Sequence, residues 1–118
     1  MSYEILLWKP REGSRRSRAF VYFVLSESAT CDGVAPLDVA AFESAMRAAH
    51  PDGYTVQVSP SSVRVRLDET KNWSAALDAL RRVAADQGLE LFDAQAETTS
   101  EREKRAARAY VDALPKKT

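Results

Sequence analysis

The sequence predicts an α+β domain: a four-stranded antiparallel sheet with helices packed on one face and an extra C-terminal helix. Three observations carry that reading. Two neighbouring segments alternate apolar and polar residues, two longer ones repeat apolar residues at three- and four-residue steps, and short apolar segments flank them. A length of 118 residues suits one hydrophobic core, so a single domain over residues 1–118 is expected.

Tyr3 to Trp8 is short, aromatic and aliphatic, and Pro10 and Gly13 close it off, which predicts a largely buried first strand. The polar stretch from Arg11 to Arg18 then reads as a solvated loop. Ala19 to Leu25 is continuously apolar, so periodicity cannot separate strand from helix; its aromatic and β-branched content favours strand on propensity alone. Thr30 to Ala35, with Asp32-Gly33, reads as a connection. Pro36 suits the first turn of a helix in which Val39, Phe42, Met46 and Ala49 share one face, and Pro51 and Gly53 end it. Glu43 and Arg47, one turn apart, suit a weak exposed pair.

Tyr54, Val56 and Val58 alternate with Thr55, Gln57 and Ser59, and Val63, Val65 and Leu67 alternate with Arg64, Arg66 and Asp68. Joined at Pro60-Ser61-Ser62, the two half-buried strands make an antiparallel hairpin. Thr70 or Asn72 can cap a second helix with the stripe Trp73, Ala76, Leu77, Leu80, Val83 and Ala84, and Gly88 stops it. Leu89 to Asp93 reads as the last strand. Ser100 with Glu103 is a capping box for a final helix, whose stripe is Ala106, Ala107, Tyr110, Val111 and Leu114 before Pro115. With the ambiguous run set aside, the order of elements is the βαββαβ pattern of ferredoxin-like folds.

The 17 basic and 17 acidic side chains cancel, so no net field draws the chain to nucleic acid or an anionic membrane. The lone Cys31 favours a reducing compartment, no apolar stretch approaches the roughly 18 residues of a membrane span, and a cytoplasmic location is expected. Cys31 and His50, far apart in sequence, make a metal site improbable, and no cofactor is expected. His50 before Pro51 reads as a helix-end residue. The isolated glycines do not cradle phosphate, and no nucleophile sits in a strand-to-helix elbow. Asp68 with Glu69 and Asp93 with Glu97 are the available carboxylate sets, more simply read as exposed strand ends. Base-stacking sheets need outward aromatics, whereas Thr55, Gln57, Arg64 and Arg66 point outward here, so nucleic acid is not the expected partner. No catalytic residue is assigned. Trp73, at the start of a helix, is a candidate interface anchor beside the arginines of the 11–18 stretch.

Two motifs add a resemblance. The opening Met1-Ser2-Tyr3-Glu4-Ile5-Leu6-Leu7-Trp8-Lys9 resembles an MSYDLxxWK start, and Gly88-Leu89-Glu90-Leu91-Phe92-Asp93-Ala94-Gln95 resembles a GLxLYDPQ motif, both from a group of small uncharacterised bacterial proteins. Phe92 stands where that group has Tyr, and Ala94 where it has Pro. Some members resemble immunity proteins of polymorphic or contact-dependent toxins, and the resemblance implies a helix over residues 16–28. The function expected is therefore a non-catalytic, immunity-type domain that neutralises a cognate toxin by covering its surface, as monomer or homodimer. The expected contact residues are Arg15, Arg16, Arg18, Trp73, Asp93 and Gln95. A ferredoxin-like ligand-binding or regulatory module is one alternative, and an enzyme using Asp68 or Asp93 in a deep pocket is another.

Overall fold

The computed structural model describes residues 3–28, 30–49, 53–59, 61–68, 73–93 and 100–114. The elements run β1 (Tyr3–Pro10), α1 (Arg18–Glu27), β2 (Val34–Ala35), α2 (Val39–Ala49), β3 (Tyr54–Val58), β4 (Ser62–Leu67), α3 (Trp73–Gln87), β5 (Glu90–Asp93) and α4 (Glu101–Asp112). His50, Glu69, Thr70, Asn72, Gln95, Glu97 and Pro115, which figured in the sequence reading, lie outside the described residues.

All strand pairings are antiparallel. β1 is central: it pairs β4 from Tyr3 opposite Leu67 to Trp8 opposite Ser62, and β5 from Ile5 opposite Asp93 to Trp8 opposite Glu90. β3 pairs β4 as the alternating hairpin predicts. A two-residue strand, β2, is added where Lys9 meets Ala35 and Pro10 meets Val34, so the sheet has five strands rather than the expected four.

Side-chain alternation along β1 sends Ile5 and Leu7 to one face and Leu6 and Trp8 to the other, and all four are buried. On the first face Ile5 and Leu7 join Val63, Val65 and Leu67 of β4 against Phe42 and Met46 of α2 and Leu80 of α3. On the second, Leu6, Trp8 and Phe92 pack against Phe20 and Val24 of α1 and Ala107 of α4. Helices therefore cover both faces, which corrects the expectation of a one-sided sandwich. A strand buried on both sides loses its polar alternation, and the unbroken Ile5-Leu6-Leu7-Trp8 run is the trace of that.

The ambiguous apolar run is helical. Ser17 caps it by accepting from the Phe20 amide at 3.2 Å, and the Ser28 amide closes the other end on the Val24 carbonyl at 2.8 Å. The β propensity of its aromatic and branched residues yields to burial of Phe20, Val21, Val24 and Leu25 on the sheet. α2 begins at Val39 rather than Pro36 because Asp38 caps it, accepting from the Ala41 amide at 3.0 Å. Ala49 is exposed, and Glu43 and Arg47 form no ion pair with each other. α3 ends at Gly88, whose φ of +67° is open to glycine at little cost. Ser100 caps α4 as expected, accepting from the Glu103 amide at 3.2 Å, while the Glu103 carboxylate accepts from the Ser100 hydroxyl at 3.1 Å rather than from its amide, so half of the capping box forms. The spare carboxylate oxygen of Glu103 accepts from Ser17, tying the starts of α1 and α4 together. No helix among the described residues is long and apolar enough to cross a membrane.

Candidate functional site

The arginine-rich stretch between β1 and α1 has a fixed path. The Arg11 amide donates to the Gly33 carbonyl at 2.9 Å, and its guanidinium donates to the Val34 carbonyl at 3.0 Å. Arg16 grips Asp32 with two nitrogens, at 3.1 and 2.8 Å. The Asp32 amide in turn donates to the Tyr110 hydroxyl of α4 at 3.0 Å. Gly33 lies so close that a Cβ there would stand 2.9 Å from the Ser14 hydroxyl and 3.2 Å from the Arg16 side chain. The loop thus clasps the 31–34 segment around an open cavity of about 400 Å³, walled by Arg11, Glu12, Ser14, Arg15, Arg16 and Asp32. The loop is solvated as expected, with every residue from Arg11 to Arg18 exposed, and it is also held in place by these bonds.

Charge in this loop is divided unequally. Hydrogen bonding to Asp32 pushes the Arg16 pKa up, and the same bond holds the Asp32 carboxyl below the usual carboxylate range. The Arg16 guanidinium also lies 4.5 Å from the Phe20 ring centre and 5.4 Å from that of Tyr110. Arg18 pairs with Glu90 at 2.9 Å, donates to the Leu91 carbonyl and covers the Phe92 ring at 5.6 Å. Arg15 is exposed and has no ion pair among the described residues. Cys31, beneath the loop, is buried, and burial raises its thiol pKa.

Trp73 and Asp93 belong elsewhere. Asp93 is only 2% exposed and accepts a hydrogen bond from the Tyr3 hydroxyl. That bond, with burial, pushes the Tyr3 pKa up to about 12. Trp73 stacks on Tyr3 with ring centres 5.1 Å apart and remains 37% exposed. Register places Asp93 opposite Ile5, on the α2–α3 side of the sheet, whereas Arg18 and Glu90 lie on the α1–α4 side. The structure therefore brings Arg15 and Arg16 together in one loop, sets Arg18 just beyond it, and places Trp73 with Asp93 in a separate corner. Gln95 lies outside the described residues. Sequence reasoning missed the Tyr3–Asp93 bond, which joins residues 90 positions apart, and the clasp on Asp32. Four arginines within eight residues, with an Asp-Gly at 32–33 further along the chain, were the available signal for the clasp.

Asp68 is exposed, and neither it nor Asp93 lines the loop cavity. No group of three or more His, Cys, Asp or Glu side chains placed to hold a metal ion occurs among the described residues. Comparison of the chain with protein-family models, curated proteins and solved structures yields no match.

Proposed function

We propose that this chain is a non-catalytic protein-binding domain of the bacterial cytoplasm, of immunity type, and that its contact surface is the loop from Arg11 to Arg16. The observation that carries the reading is the clasp: an arginine-rich loop pinned at both sides, with Arg15 exposed and without an ion pair among the described residues. A loop ordered before binding forfeits little conformational entropy on binding, and unneutralised charge steers an acidic partner. The two end motifs, with their resemblance to immunity proteins, support a toxin as that partner. The antiparallel order β5-β1-β4-β3 supports a ferredoxin-like core, with α1 and β2 as an insertion after its first strand.

Co-expression with the toxin encoded beside it tests the proposal. A stable complex and loss of toxicity are expected, with Arg15→Glu and Gly33→Ala each weakening the complex while the fold is retained. A toxin that stays active in the presence of excess protein removes the idea. A complex indifferent to both substitutions moves the contact surface away from the loop.

A further inference from the structure

We propose that the recess between the last turn of α1 and the outward face of the β3–β4 hairpin binds a small organic monocarboxylate, with Arg64 as its counter-charge. The proposal is independent of the loop surface. Two adjoining cavities of about 360 and 220 Å³ share Leu6, Ser26 and Arg64 as lining, and the larger is the proposed recess. That size suits a small ligand.

The charges around the recess leave one vacancy. Arg66, two residues along the same face, is taken by Glu4 at 2.9 Å, and Glu27 at the rim is taken by Arg108 at 3.5 Å. Arg64 is half-buried and has neither an ion pair nor a hydrogen bond among the described residues. A partly desolvated guanidinium with idle donors is costly unless an anion meets it, and its planar fork matches a carboxylate.

Neutral donors stand beside it. Ser62 is 4% exposed and shares the face of Arg64. Every fully enclosed side-chain polar atom among the described residues has a hydrogen-bond partner, yet the Ser62 hydroxyl has none, so it must open onto the recess that Ser62 lines. Gln57, directly across from Arg64 in the hairpin register, lines the same recess and adds an amide. Leu6 and Leu25 supply apolar wall for a short hydrocarbon body. With the neighbouring charges paired, the single idle guanidinium balances one negative charge, which favours a monocarboxylate over a phosphate dianion.

Amide NMR titration of the whole chain with hexanoate, hexanol and inorganic phosphate tests this. Hexanoate should shift the amides around Ser62 and Arg64 saturably; hexanol and phosphate should bind more weakly. Arg64→Gln should weaken hexanoate by about tenfold or more, and Ser62→Ala by roughly two- to tenfold, as lost charged and neutral hydrogen bonds predict. Arg82→Gln, on exposed helix surface in α3, should change nothing. Arg64→Lys keeps the charge without the fork, and it should also bind more weakly than the wild type if Arg64→Gln fails to fold. The proposal is overturned by the absence of a saturable hexanoate shift, by unchanged affinity in the Arg64 variants, or by hexanol or phosphate matching hexanoate.

Discussion

The two faces of the sheet are closed by different chemistry. The α2–α3 face is mainly aliphatic, with Ile5, Leu7, Val63, Val65, Leu67 and Leu80 wholly or almost wholly enclosed around Phe42. The α1–α4 face is aromatic and arginine-clad: Tyr22 stacks on Phe92 at 4.5 Å, Tyr110 meets Phe20 edge-on at 5.6 Å, and Arg16 and Arg18 lie over the rings. Toward β3 and β4 that second layer stops, leaving Arg64 and Arg66 beside a recess. One face holds the fold, while the other combines core with the loop and the cavity. Amphipathic side chains do this readily, because an arginine can cover an aromatic core while its charged end faces water.

If the second layer is core rather than a docked appendage, Trp8→Ala should cost about 3–5 kcal/mol in urea unfolding, as truncation of a buried Trp does elsewhere. Trp8 is buried entirely on that side. A loss under about 1 kcal/mol would mean that α1 and α4 add little to global stability, since surface-like sites give changes of that size.

At the other corner, Tyr3→Phe removes the donor to a buried carboxylate. A cost of about 1–3 kcal/mol is expected, the usual penalty for leaving a buried acceptor short of a partner. The sign with pH follows from the phenol's raised pKa. Its folded value of about 12 lies above the ordinary 10.0, so its contribution is complete below pH 10 and is lost as pH rises toward 12. Wild-type stability should therefore fall across that interval by a component that Tyr3→Phe lacks, and parallel alkaline curves would discard the Tyr3–Asp93 coupling.

Cys31 reports on the α1–α4 layer directly, since its buried thiol reacts only when that layer opens. Tyr110→Ala removes the hydroxyl that holds the Asp32 amide, one residue away. Thiol labelling should then accelerate roughly tenfold, corresponding to about 1.4 kcal/mol of easier opening. Equal labelling rates would place the loop clasp outside the opening unit.

Legibility in the sequence tracked locality. The hairpin, α3 and the Ser100 cap of α4 announce themselves through period and cap chemistry within a few residues, and all three form. α1 did not, because burial nearly all along an apolar run erases the period that separates helix from strand; only the resemblance pointed to helix, and the Ser17 cap went unread. β2 is two residues long and exists solely through its pairing with β1. The candidate contact residues were least legible. Arg15 is exposed as supposed, but Asp93 reads as an exposed strand-end carboxylate and is buried by a tyrosine at the far end of the chain. That arrangement depends on strand order, which local pattern does not encode.

The smallest effect expected on stability bears most on binding. In the folded chain the Asp32 carboxyl titrates below its ordinary 3.8, chiefly through its bond to Arg16, so its contribution is present above that value and is lost as pH falls further. Both side chains of the pair remain about half exposed, 43% for Arg16 and 50% for Asp32. Solvent screening therefore limits the contribution to about 0–1 kcal/mol. Asp32→Asn should barely move the urea midpoint at neutral pH and should flatten the acid limb. Amide exchange in residues 11–16 should nevertheless rise, because the anchor of Arg16 is lost. If the loop acts through its fixed shape, partner affinity should fall in Asp32→Asn by more than stability does. Unchanged affinity with a loosened loop would mean that charge alone, without the clasp, makes the contact.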